Sequence, residues 1–316
     1  MRGTPLWLRG AATLAATAMA WGGMFPVMKP LLAEIDPFTL TLARFGLSIP
    51  ILVVLLIMKE GVGALKVEGR AIQLWWLGTL GFAGFGLLLV LGLKSTRPEH
   101  AAIVPALMPL IAIVVASVKG RTWPRLPALV SVFVGILGVA FVVTHGDPGA
   151  LLHGGAGRGE ALVFLGATCW VLYTFGAAKF PTWSGLRFTT LTLILGTLSI
   201  LVVEIVVITA GKVSPPAMSV LLAASPSLAY LVLAASVMGF LFWNAGMRAL
   251  GPARGVLFIN LVPVTAFAVA IAFGHVPTRW EVVGVALVIG ALVLNSFTVK
   301  APAAASIRSI SEQPKS

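Results

Sequence analysis

Only 10% of the 316 residues are charged, and the chain holds ten acidic residues, four histidines, two tyrosines and one cysteine. Each scarcity removes a class of explanation. Cys169 is alone, so neither an intramolecular disulfide nor a Cys-x-x-Cys pair can form. The histidines never fall in a His-Glu-x-x-His spacing and no Gly-rich loop ends in Gly-Lys-Ser or Gly-Lys-Thr, which leaves no zinc-hydrolase signature and no ATP site. On these grounds no enzyme, no cofactor and no bound metal is expected. A soluble domain covers its surface with about 25% charged residues. A chain this poor in charge turns most of its surface to lipid.

Apolar residues make up 59% of the chain, and the mean hydropathy is +1.02. A spanning helix needs about 20 predominantly apolar residues to cross a hydrocarbon core of roughly 30 Å. The expected fold class is therefore an all-α integral membrane protein with ten transmembrane helices. In the first half these are Gly10–Leu31, Pro37–Ile57, Leu74–Lys94, Pro98–Val118 and Pro127–Thr144. In the second half they are Glu160–Lys179, Arg187–Thr209, Pro226–Leu250, Pro252–Phe273 and Arg279–Phe297.

The halves resemble one another. Gly92–Gly120 recurs without a gap as Gly246–Gly274 at one offset (246 − 92 = 154), pairing Gly92 with Gly246, Pro98 with Pro252, Pro109 with Pro263 and Gly120 with Gly274. Lys94 and Arg248 match in charge. The expected organisation is a cytoplasmic segment 1–9, a first repeat 10–144, an external Gly-rich linker 145–159, a second repeat 160–298 and a disordered cytoplasmic tail 299–316.

A net charge of +12 would suggest nucleic acid in a soluble protein, but its placement speaks against such a partner. With the N-terminus inside, fifteen of the 22 Lys and Arg lie on the inner side, among them Arg2, Arg9, Lys59, Lys66, Arg70, Arg187, Arg248 and Arg254. Six lie outside, namely Lys29, Lys94, Arg97, Arg158, Lys212 and Arg279, and Arg44 falls within a span. Positive residues accumulate in cytoplasmic loops, so both termini are expected inside a plasma membrane. Five spans per half then invert the second copy relative to the first, a transporter signature in which substrate binds near the midplane between repeats. Residues 1–20 imitate a secretory signal, but cleavage would leave an unpaired half, so the first helix is expected to be retained.

Several intramembrane residues are candidates for function. Pro26 removes a backbone donor from the first span, where a kink or local opening is expected. Trp21 and Trp170 lie near mid-span, away from the interfacial belt. With Tyr173 and Thr174 they either pack between helices or line a cavity. Arg44 and Glu204 lie at similar depth in the second and seventh spans, where they either pair or Arg44 snorkels to the interface. Pro105, Pro109 and Pro263 free carbonyls that can face a cavity. Asn260, Trp243 and Asn244 either bind ligand or join helices. Glu204 and His100 are the plausible titrating groups in or beside spans. Gly135, Gly138 and Gly290 offer small surfaces for close contact at the periphery, within one chain or in a homodimer.

Trp21, Gly22, Phe25 and Lys29, the run Leu42-Ala43-Arg44-Phe45, and the paired Gly…Pro…Pro…Gly stretches carry a resemblance over about Ala12 to Thr298. The chain resembles the EamA-type branch of the drug/metabolite transporter superfamily. The resemblance implies ten spans in two inverted five-helix repeats and alternating access, with the first, third, fourth, sixth, eighth and ninth spans lining the site. The family's Glu after the closing glycine of each repeated stretch is replaced here by Arg121 and His275. Basic residues at each mouth (Lys29, Arg44, Arg248, Arg254) with an aromatic, neutral centre suit a small zwitterion or carboxylate carrying an apolar part. The expectation is export of an amino acid or related metabolite. The alternatives are efflux of an organic cation, a channel, or an intramembrane lipid-modifying enzyme.

Overall fold

The computed structural model describes residues 5–121, 123, 126–144, 146–147, 157–251 and 255–298. The tail 299–316 and most of the linker therefore lie outside the described residues, as does Arg254. Among the described residues the fold is all-helical, without strands. The main helices are α1 (Leu6–Leu31), α2 (Pro37–Glu60), α3 (Ala71–Lys94), α4 (Pro98–Gly120), α5 (Leu126–Thr144), α6 (Arg158–Ala177), α7 (Gly185–Thr209), α8 (Ser225–Leu250), α9 (Leu261–Ala272) and α10 (Arg279–Thr298). Seven of them, α1 to α4 and α6 to α8, are long and apolar enough to cross a membrane. Their outward faces carry exposed Leu47, Val54, Val202, Ile205 and Val206, as a chain with lipid for a solvent requires.

Local chemistry explains the helix starts. Asp36 caps α2 by accepting from the amides of Phe38 and Thr39 at 2.9 and 3.0 Å, with Pro37 at the first helical position. Ser184 caps α7 by accepting from the Arg187 amide at 2.9 Å. The expected opening at Pro26 is not where the helical ladder changes, since α1 runs on through both Pro26 and Pro30. The ladder changes inside α3 and α8, which widen into π-helix at Thr79–Gly84 and Tyr230–Met238. The repeat offset carries 79–84 onto 233–238 (79 + 154 = 233), so the same irregularity occurs in both halves. A tighter 3-10 turn behaves similarly, at Val104–Leu107 in α4 and at Val256–Asn260 before α9.

Packing follows the same exchange of halves. Helix α1 lies against α8 and α9, α6 lies against α3 and α4, α2 pairs with α7, and α5 pairs with α10. Gly10 and Gly246 meet backbone to backbone at the α1–α8 contact, and Gly92 and Gly159 do so at the α3–α6 contact. A Cβ on Gly246, Gly92 or Gly159 would overlap the partner glycine's carbonyl, and one on Gly10 would overlap the Ala249 side chain, so only glycine allows the helices this close. Gly138 likewise closes on Gly284 of α10 and Gly135 on Leu110 of α4, both within one chain, whereas Gly290 meets nothing within 4 Å.

Two faces result. One carries the α2–α3 and α6–α7 links, where Arg187 ties the two together by donating to the carbonyls of Ala64 and Lys66 and to Glu68. The other carries the end of α3 and the starts of α4, α6 and α10.

Candidate functional site

The π-helical segment of α8 organises the site. Wider helical turns leave backbone groups available for partners on other helices. The Ala235 carbonyl accepts from Trp21 Nε1 at 2.8 Å. Ser236 donates back to the Leu231 carbonyl at 2.9 Å, five residues earlier, and its oxygen accepts from Arg44 Nε at 2.9 Å. Tyr230 donates to the Ala20 carbonyl at 2.9 Å. One irregular stretch thus fixes a tryptophan of α1 and an arginine of α2 at the centre of the protein.

Around them lies a cavity of about 40 Å³, lined by Trp21, Phe25, Arg44, Phe45, Phe85, Pro105, Trp170 and Phe240 together with aliphatic side chains. Among the described residues that line it, Arg44 alone is charged. Trp170 and Phe240 also wall a second cavity, with Tyr173, Trp243 and Asn244, which runs to Trp183 and Ser184 at the α6–α7 link. A third, adjoining cavity is lined by Trp21, Pro109, Trp170 and Trp243. The aromatics form two ring clusters: Trp21 lies 5.2 Å from Trp243, and Trp170 lies 5.2 Å from both Phe85 and Tyr173. Trp21, Trp170, Tyr173, Trp243, Asn244, Pro105 and Pro109 therefore come together. Asn260 and Pro263 do not line these three cavities; the Asn260 Oδ1 is buried without a hydrogen-bond partner beside lining Ile259.

The charged candidates part company. Arg44 neither snorkels nor pairs with Glu204, which corrects both expectations. Its side chain is 4% exposed and turned inward onto Ser236 and the Phe45 ring, with the guanidinium carbon 4.9 Å from the ring centroid. Glu204 instead accepts from Thr39 Oγ1 at 2.7 Å, and its other oxygen is buried without a partner. The reason is rotational: Ser236 on α8 meets one side of α2 while Thr39, five residues from Arg44, meets α7. Lys29 is not at an open mouth either. It donates to the carbonyls of Leu93, Lys94 and Thr96 at 2.8, 3.1 and 2.6 Å, satisfying the end of α3.

The face opposite the α6–α7 link is closed by a buried polar network. His100 Nε2 lies 3.0 Å from Glu281 Oε1, and His275 Nε2 lies 3.2 Å from Glu281 Oε2. Glu281 also accepts from the Thr278 amide at 2.7 Å. Glu160 accepts from Thr96 Oγ1 and faces His100 Nδ1 at 3.7 Å, and Arg97 stands 3.9 Å from Glu99 and 3.7 Å from Glu281. Of this set only His100 was singled out from the sequence as a titrating group. Its members belong to separate helix ends and no spacing connects them. Ser236, Phe85 and Phe240 were missed because no spacing in the sequence relates them to Arg44 or Trp21. On the link face, a hydrogen bond from Arg187 holds the Glu68 carboxyl below the usual carboxylate range.

Comparison with known proteins bears on this arrangement. The model of the EamA-like transporter family matches residues 8–144 and again 157–297. A Bacillus subtilis (strain 168) protein described as the uncharacterized transporter YrdR is 32% identical over 91% of this chain and 91% of its own length. A protein of Streptantibioticus cattleyicolor described as a probable terminal-alkyne amino-acid exporter is 24% identical over 90% of this chain and 93% of its own. One solved crystal structure superposes with a TM-score of 0.62 at 19% identity, over 91% of this chain and 97% of that one, a likeness of fold alone.

Proposed function

The chain belongs to the EamA-like transporter family, and from that premise we propose that it is a secondary exporter of a small carboxylate or zwitterion bearing an apolar part, such as an amino acid. In this reading ten helices cross the plasma membrane as two inverted repeats, 10–144 and 160–298, with both termini cytoplasmic. The network face is external and closed, and the cavities beside Trp183 and Ser184 open to the cytoplasm. The halves rock about the central cavity to expose it on each side in turn.

The observation that carries the substrate class is Arg44. A guanidinium this deeply buried normally has an anionic partner. Here the protein supplies one serine oxygen and an aromatic ring, and the Nη groups have no hydrogen-bond partner among the described residues. A substrate carboxylate completes the fork of donors, while Trp21, Trp170 and Phe240 hold its apolar part. An organic cation is favoured by the same aromatic faces but would sit beside Arg44 with no acidic group among the described lining residues. The relative described as an amino-acid exporter agrees with the first reading.

A thermal-shift screen of purified protein against amino acids, amino-acid amides, simple carboxylates and quaternary ammonium ions tests it, because a ligand that binds the folded state stabilises it. Stabilisation by carboxylate-bearing compounds and not by their amides is expected. Stabilisation confined to the cations would overturn the proposal.

A further inference from the structure

The polar network has chemistry that transport of a carboxylate does not use. Glu99, His275 and Glu281 each offer one ligand atom, and these atoms all lie within 4.8 Å of one another. We propose that they form a binding site for a divalent transition-metal ion of the zinc type, which joins the two repeats on the closed face. Glu99 comes from the start of α4 in the first repeat, while His275 and Glu281 come from the α9–α10 link and the start of α10 in the second.

Geometry supports this. Four ligands at about 2.0–2.1 Å in a tetrahedron lie roughly 3.4 Å apart. His275 Nε2 is already 3.2 Å from Glu281 Oε2 and 3.9 Å from Glu99 Oε1. Side-chain adjustments of under about 1.5 Å would bring the three into a coordination sphere, with water as the fourth ligand. His100, 3.0 Å from the other oxygen of Glu281, orients that carboxylate as an outer partner. One imidazole nitrogen with two carboxylates selects a zinc-like ion over magnesium or calcium, which prefer all-oxygen shells.

Charge points the same way. Glu99, Glu160 and Glu281 are buried carboxylates, at 5%, 8% and 0% exposure. Two cations stand beside them: half-exposed Arg97, and Lys29, which is held by the carbonyls at the end of α3 and also interacts with Glu99. These three carboxylates outnumber the two fixed cations beside them, and a divalent ion adds counter-charge.

The test uses tag-free full-length protein in detergent, stripped with a chelator and titrated with Co²⁺ and Zn²⁺. One Co²⁺ per chain should bind with the intensified visible absorption of a four- or five-coordinate ion, and Zn²⁺ should displace it. Zn²⁺ should raise the unfolding midpoint, while Mg²⁺ and Ca²⁺ at the same concentration should not. E99Q and H275A should each weaken Co²⁺ binding at least tenfold. Absence of an intensified band in the unmutated protein overturns the site without reliance on any variant. So does a band unchanged in both variants, or equal stabilisation by Ca²⁺.

Discussion

Replacing Arg44 by Gln separates a substrate-binding role from a structural one. A carboxylate about 4 Å from a guanidinium gains roughly 4 kcal/mol at an effective dielectric constant near 20. Desolvation of the ligand returns part of that, and a charge-assisted hydrogen bond in a protein nets about 1.5–3 kcal/mol. At about 1.4 kcal/mol per tenfold, R44Q should weaken a carboxylate substrate by roughly ten- to a hundredfold. The fold should tolerate the change. The hydrogen bond to Ser236 is worth about 1.5–3 kcal/mol, and its loss is offset because a buried cation without a carboxylate partner is removed. The unfolding midpoint without ligand should therefore stay within a few degrees of the unmutated protein. The assay is ligand-induced thermal stabilisation alongside counterflow in proteoliposomes, comparing each acid with its amide. R44Q should lose the preference for the acid and leave amide binding unchanged, and S236A should show a smaller loss in the same direction. If R44Q bound the acid within twofold of the unmutated protein, the assignment of Arg44 would fall.

Replacing both Trp21 and Trp170 by Ala should remove ligand stabilisation and transport, since both line the central cavity; transport at the original rate would show that the aromatic set only packs helices. W21F alone keeps a ring but removes the donor to the Ala235 carbonyl, and should lower stability by about 1 kcal/mol, read as a lower midpoint. Gly196→Ala should destabilise by about 1–3 kcal/mol through overpacking, because a Cβ there runs into the Gly78 backbone where α7 crosses α3. Gly290→Ala meets nothing within 4 Å and should stabilise by about 0.5–1 kcal/mol through helix propensity; loss of a crosslinkable dimer in membranes would instead place Gly290 at an interface between copies. Glu68 gives a pH signature. Its pKa is depressed in the folded state, first by the hydrogen bond from Arg187, so its contribution is present above the ordinary value near 4.5 and fades as pH falls through the lower folded value. E68Q should flatten that part of the stability profile, and so should high salt, because the Glu68 side of the pair is half-exposed; an unchanged acid limb would exclude the pairing.

The class of this protein follows from its amino-acid sequence because the causes are local or additive. Scarce charge and long apolar runs dictate helices that face lipid, and two copies of one Gly…Pro…Pro…Gly spacing dictate a duplicated architecture. Trp21 and Trp170 stood out in the sequence because tryptophan at mid-span lacks the interfacial reason to be there, which left packing and cavity lining as the two readings. The direction of a side chain is a different matter, since it depends on how neighbouring helices are rotated and on where their ladders are interrupted. Nothing in the run around Tyr230–Met238 announces a π-helix, yet that segment turns Arg44 onto Ser236 and away from Glu204. Glu99, His100, Glu160, His275 and Glu281 likewise read as isolated residues near helix ends. Only the packing of both repeats brings them within ion-pair distance, because burial of several charges is tolerable only where separate elements each bring a compensating partner.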